Sequence, residues 1–334
     1  MLTLLGSTLA ATVIAAHAPV IRLPAPGMEG QTLALHCVEP PRASDEAVLF
    51  IHGASFPTLL AAGFEFEGGD SWMDFMAARG FLACGLDFLG FGASSRPVAM
   101  SVSPVGVAPL GQAVDTALQI GAAVDYLRNK RGIKRLHVVA HSWGTVPAGV
   151  YAATHPATLT SLTLFGPIVP AAGSRSEDIR YAWWSISAQE RYRQLLFADA
   201  LPHGMHLLES AVDRRWASEF AASGPGKMKG VENPLEIPAG PLADINAVKA
   251  NRYPYSQQDV RIPVFVVYGD YDTEVNDTGA KDFLSRFQAS PLKWRLCIDH
   301  GTHVMHLERN RKSLYQSEVA FIAAVDRESG GTVD

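Results

Sequence analysis

The sequence predicts an α/β fold: a mostly parallel central sheet flanked by helices, with a helical cap inserted late in the chain. Three observations predict it. Short β-rich runs alternate with helix-forming stretches along the chain. Those runs are nearly continuous in apolar residues, as strands covered on both faces must be. The spacing breaks once, where close to a hundred residues separate two consecutive runs.

The runs are AVLFIHG (47–53), FLACGLDF (81–88), RLHVVAHS (135–142), SLTLFGP (161–167), PVFVVYGD (263–270) and KWRLCID (293–299). Helices between successive parallel strands fall on both faces of the sheet under the right-handed crossover rule. The interruption after SLTLFGP marks an insert, read as a cap over 171–260, and leaves 1–170 and 261–334 as the core. The insert carries Trp183, Trp184, Tyr192, Phe197, Trp216 and Phe220 at helix-compatible spacings, followed by a Gly/Pro-rich stretch from Gly224 to Pro241. Each ring taken singly reads as cap core, although an insert that covers a site turns some of them toward a pocket.

The chain has 334 residues, enough for one large domain with an insertion or about two domains of ~150 residues. Hydrophobic residues make up 48% and charged residues 18%, which excludes a disordered, collagenous or coiled-coil chain. Lys plus Arg (28) against Asp plus Glu (33) gives a net charge of -5, so no basic footprint for nucleic acid exists.

The first eighteen residues are uncharged and apolar and end in Ala16-His17-Ala18, which fits a signal-peptidase site. No Lys or Arg precedes the apolar stretch, so the favoured reading is an N-terminal strand running into VIRLPAP in a cytoplasmic protein, with export as the alternative. The segment falls short of the roughly 20 residues of a membrane span, and Gly6, Ser7, His17 and Pro19 interrupt it. No integral membrane segment is expected. Cys37, Cys84 and Cys297 lie far apart without a C-x-x-C pair, so all three are expected to be buried thiols, without disulfide or zinc.

The run RLHVVA leads into A-H-S-W-G-T, and a segment rich in small residues follows. A serine hydroxyl becomes a nucleophile when a strained turn exposes it beside a base, and such a turn needs small residues two before and two after. Ala140 and Gly144 fill those places around Ser142, with alanine where glycine is usual. In FIHGAS, the backbone after Gly53 can turn the N–H of Ala54 toward the nucleophile. With the N–H of Trp143 it would make an oxyanion hole. His52 is read as structural, bonded to loop backbone.

Two carboxylates follow the strand in VVYGDYDTEV, at the sheet end where open α/β folds collect functional groups. Asp272 is the expected acid, orienting a histidine through Nδ1. Asp270 is the runner-up, read as tying the loop. CIDHGTHVMHLERNR offers His300, His303 and His306, and His303, just past Gly301, is the expected general base. Their spacing is not H-E-x-x-H and no carboxylate in register completes a site, so no metal is expected. No cofactor is expected, because neither G-x-G-x-x-G after a first strand nor G-x-x-x-x-G-K-[ST] occurs.

Four segments, FIHGAS, GLDFLGFGASSRP, VVAHSWGT and YGDYD with GTHVMHLE, resemble the α/β-hydrolase superfamily, from about residue 47 to the end outside the insert. The order Ser142, Asp272, His303 is one of three orders known for this chemistry. The resemblance implies a capped α/β-hydrolase core with those residues as the triad. Asp87 to Ser94 resembles the loop after the superfamily's fourth strand, its glycines read as turn formers. His303 to Glu308 resembles the usual G-H-x-x-x-x-E ending, with Thr302 inserted. Serine at the elbow argues against epoxide hydrolases and haloalkane dehalogenases, which resemble one another in carrying aspartate there. The expected activity is hydrolysis of a carboxylic ester of a small to medium, largely apolar molecule through an acyl-enzyme. Alternatives with the same triad are a lactonase, an amidase of the proline iminopeptidase kind, a thioesterase and a C–C bond hydrolase. A non-catalytic ligand-binding member of the fold is the alternative of another class. No basic cluster favours highly anionic substrates.

Overall fold

The computed structural model describes residues 19–67, 69–175, 177–224 and 234–330. The two readings of residues 1–18 lie outside them.

Among the described residues, ten strands and eight α-helices follow one another. Two strands precede the first of the six runs, β1 (Ile21–Pro24) and β2 (Thr32–Val38). The runs form β3 (Glu46–Ile51), β4 (Leu82–Asp87), β5 (Arg135–His141), β6 (Ser161–Phe165), β9 (Val264–Gly269) and β10 (Lys293–Ile298). They make an eight-stranded sheet in the order β1-β2-β4-β3-β5-β6-β9-β10. The β1–β2 and β2–β4 pairs are antiparallel and the others parallel.

Successive strand residues point to opposite faces, and each face has its own core. Leu49, Val138 and Leu162 pack with α2 (Ala113–Asn129), α3 (Thr145–Thr154) and α7 (Asp277–Ser285). Val48, Val139 and Phe265 pack with α1 (Trp72–Ala77) and α8 (Arg311–Gly330). Helix α1 starts at a capping box in which the Ser71 hydroxyl accepts the Asp74 N–H and the Asp74 carboxylate accepts the Ser71 N–H.

The cysteines depart from expectation. β2 pairs with β4 so that Cys37 lies opposite Cys84, with Cα atoms 4.1 Å apart, and the two form a disulfide. Cys297 is exposed rather than buried, because β10 is the edge strand.

The long segment between β6 and β9 is not wholly helical. β7 (Trp183–Ile186) and β8 (Leu235–Pro238) form a separate antiparallel pair. The segment's helices are α4 (Ala188–Leu195), α5 (Ala217–Ala222), entered through a π-helical turn at Val212–Trp216, and α6 (Gly240–Lys249). Two of its rings are fully internal: Trp216 stacks on Phe220 with centroids 5.1 Å apart, and its Nε1–H donates to the Leu60 carbonyl at 3.0 Å. No helix among the described residues is long and apolar enough to cross a membrane.

Candidate active site

The parallel strands end on one side of the molecule, and the candidate residues meet there. β5 stops at His141, and the chain turns at once through Ser142 into α3. Ser142 has φ 55°, the left-handed region that costs a residue with a Cβ about 1–3 kcal/mol. Gly144 is required by the packing of that turn, since a Cβ there would lie 2.4 Å from the His52 carbonyl oxygen.

Around this turn the loops after β9 and β10 bring two side chains to the serine. His303 Nε2 lies 2.7 Å from Ser142 Oγ, and its Nδ1 lies 3.0 Å from each carboxylate oxygen of Asp272. Asp272 Oδ1 also accepts the Glu274 N–H at 2.8 Å, which fixes the carboxylate in place. With Nδ1 donating to Asp272, Nε2 is left to accept the serine proton. Burial acts most strongly on His303 and lowers its pKa. The charge and hydrogen bond of Asp272 and the charge of Glu274 outweigh it, so the ring titrates above its ordinary value.

The other candidates lie elsewhere. Asp270 accepts the Gly301 N–H at 3.0 Å and ties the loop after β10. His300 is exposed. His306 is buried against Phe165 and His141, and burial, followed by the charge of His303, holds it down to about 3. His52 donates from Nδ1 to the Gly53 carbonyl at 2.7 Å and accepts the Phe88 N–H at Nε2, 3.2 Å away. Ala54 lies beside Ser142 in the same cavity wall, and Trp143 follows the serine with its indole buried.

Four residues that the sequence reading did not single out support this arrangement. His141 donates from Nε2 to the His303 carbonyl at 2.8 Å, joining the nucleophile strand to the histidine loop. Asp244 of α6 accepts Trp143 Nε1–H at 2.8 Å and the Ala113 N–H at 2.7 Å, and burial raises its carboxyl to about 6. It fastens α6 to the nucleophile turn. Gly166 has φ +53°, and a Cβ there would lie 2.9 Å from Asp272 Oδ2 and 3.0 Å from His303 Nδ1. Glu308, already noted for its spacing, accepts the Thr302 N–H at 3.0 Å, and burial raises it to about 7. Arg191 of α4 is the fourth such residue, described with the cavity it enters.

A cavity of about 340 Å³ opens over Ser142 and His303. Its walls come from the Gly53–Phe56 loop and from Arg191, Gln194, Phe197, Leu242 and Ile245 of the segment between β6 and β9. Of the six aromatic residues singled out there, Phe197 is the one in this wall.

Among the described residues one trio, Glu46, His137 and Asp326, brings three metal-capable atoms together. It lies at the opposite end of the strands, and Arg135 already pairs with both carboxylates.

The sequence matches the family model for the alpha/beta hydrolase fold over residues 46–309, and the chain belongs to that family. Solved structures agree in fold. The thioesterase domain from the curacin biosynthetic pathway superposes with a TM-score of 0.61 at 17% identity, over 90% of this chain and 99% of that one. A serine hydrolase involved in carbazole degradation (CarC) gives 0.60 at 13% identity, over 92% and 100%. The 2-hydroxy-6-oxo-6-phenylhexa-2,4-dienoate hydrolase BphD from Rhodococcus sp. strain RHA1 gives 0.58 at 17% identity, over 91% and 99%. No curated protein sequence matches the chain significantly.

Proposed function

We propose that the chain is a serine hydrolase cleaving a carboxylic ester of a small to medium substrate through an acyl-enzyme. The observation that carries this reading is the continuous hydrogen-bond chain from Ser142 Oγ through His303 to Asp272, with Ser142 and His303 in the wall of the cavity. In this mechanism His303 Nε2 takes the Ser142 proton as Oγ bonds to the ester carbonyl carbon. The backbone N–H groups of Ala54 and Trp143 stabilise the resulting oxyanion. Collapse breaks the bond to the alcohol oxygen, which receives the proton from His303. Water then repeats the sequence against the acyl-enzyme and releases the acid. No step calls for a metal or cofactor. The segment 171–260 serves as the cap, with α4 and α6 roofing the cavity.

The test is hydrolysis of p-nitrophenyl esters from acetate to palmitate by the wild type and by Ser142→Ala. Turnover with an acyl-length optimum in the wild type and none in the variant supports the reading. Wild-type inactivity on every ester, with turnover of lactones, amides, thioesters or diketones, reassigns the bond cleaved; inactivity on all of them favours the ligand-binding alternative.

The Cys37–Cys84 disulfide supports the exported alternative over the cytoplasmic one, because such bridges persist in oxidising compartments. Mass determination of the protein recovered from its native host, with cleavage after Ala18 expected, tests it.

A further inference from the structure

The cavity over Ser142 is apolar on most sides, yet one cation enters it. Arg191 projects from α4, and its guanidinium sits 5.4 Å from the centre of the Phe56 ring. Nη1 donates to Gln194 Oε1 at 2.7 Å, which fixes the plane of the group. Nε is shut off from solvent and has no hydrogen-bond partner. Among the described residues no carboxylate pairs with it, whereas Arg135, Arg311 and Arg96 each hold at least one acidic partner. The nearest acidic candidate in the same wall, Glu274, is taken by Lys249 at 2.9 Å. A cation in the cavity wall with no carboxylate partner leaves its charge to be answered by what the cavity binds.

Taking Ser142 as the nucleophile of the reading above, we propose that Arg191 is a carboxylate-binding residue and that the substrate is an ester bearing a free carboxylate, such as a half-ester of a short dicarboxylic acid. The N–H groups that Gln194 leaves free, on Nη1 and Nη2, are charged donors suited to a carboxylate oxygen. A cavity of about 340 Å³ has room for a molecule of this size. Burial lowers the Arg191 pKa to about 10, so the group stays charged at neutral pH. This sharpens the expectation from composition: no basic cluster exists, but a single half-buried cation in a mostly apolar cavity discriminates charge better than several exposed ones.

The test compares p-nitrophenyl hemiglutarate with the uncharged p-nitrophenyl pentanoate on the wild type, Arg191→Gln and Arg191→Lys, each checked for an unchanged melting transition. The expected wild-type preference in kcat/KM is on the order of 10- to 100-fold for the charged ester, carried by KM. It collapses toward unity in Arg191→Gln and survives in part in Arg191→Lys. Equal rates on both esters in the wild type, or a loss in Arg191→Gln shared equally by both, overturns the assignment while leaving the esterase reading intact. A second arm needs no turnover: calorimetric titration of Ser142→Ala with monomethyl glutarate and with dimethyl glutarate. Tighter binding of the monoester, lost in Ser142→Ala/Arg191→Gln, sustains the assignment even if no ester is hydrolysed. Equal or absent binding of the two overturns it.

Discussion

Replacing Asp272 by Asn separates the roles of the two carboxylates that follow β9. Both Asp272 oxygens lie 3.0 Å from His303 Nδ1, and the carboxylate is fully buried. During attack the ring becomes an imidazolium, and its attraction to a carboxylate about 4 Å away between charge centres is about 4 kcal/mol at an effective dielectric of about 20. At about 1.4 kcal/mol per decade, its loss slows attack roughly 10³-fold. Asparagine can also present its NH₂ to Nδ1, which shifts the proton to Nε2 and removes the acceptor for Ser142; the combined loss is about 10³- to 10⁴-fold in kcat. The pH profile should move as well. His303 must be neutral to act as base, and its pKa is raised in the wild type, so activity falls as pH drops through a value above 6.5. Without the Asp272 charge that limb shifts downward, since burial then dominates. Asp270→Asn, which loosens one backbone hydrogen bond, should cost less than tenfold. Steady-state kinetics on the best p-nitrophenyl ester between pH 5 and 9 reads all of this. A loss below tenfold for Asp272→Asn, or a larger loss for Asp270→Asn, would refute the assignment of the acid.

His141→Phe removes the donor that holds the His303 carbonyl, and should lower kcat about tenfold and stability by about 1–2 kcal/mol, measured by kinetics and urea denaturation. Glu318 of α8 is buried, and burial pushes its carboxyl up to about 8, the nearby Thr163 hydroxyl only partly offsetting it. A folded-state pKa raised above the unfolded value of about 4.5 means that stability is greatest below 4.5 and falls as pH rises through 8. Glu318→Gln should therefore raise the melting temperature at pH 8 relative to the wild type and lose that advantage at pH 5. The Cys37–Cys84 bridge closes a loop of 47 residues, for which chain entropy gives about 4 kcal/mol. The double variant Cys37→Ala/Cys84→Ala should lose most of that in denaturant melts without a change in kcat.

Five of the six strands legible in the sequence are buried on both faces, and the sixth, β10, is an exposed edge strand. β3 beyond Glu46 and β9 show unbroken apolar runs, and β5 is interrupted in its interior only by His137, whose ring meets Ser161 and Glu46. β2 is as deeply buried, but His36 and Cys37 break its apolar pattern, and both are satisfied from far away: His36 Nε2 meets Asp87 Oδ2 at 2.9 Å, and Cys37 bonds to Cys84. Missing β2 also hid the disulfide, since only its antiparallel register sets the two cysteines opposite each other. β7 and β8 have four residues each, too few for a period to show, and β8 ends in proline.

The same distinction divides the site. Ser142, Asp272 and His303 could be proposed from sequence because each follows the end of a strand in a local pattern whose chemistry names the partner it needs. His141, Asp244 and Arg191 carry no such pattern. A histidine closing an apolar strand, an aspartate inside a short helix and an arginine on an amphipathic one are ordinary in those places, and only the tertiary structure shows what each meets. For His141 and Asp244 the partners are the His303 carbonyl and the Trp143 indole, 162 and 101 residues away in sequence. Arg191 differs from both in carrying, in the cavity wall, a charge that no carboxylate among the described residues answers. A buried polar group satisfied within the chain reads as architecture, whereas one left open beside a nucleophile leaves its partner to the substrate. On that physical ground Arg191 bears on specificity, while His141 and Asp244 bear on the precision with which the triad is held.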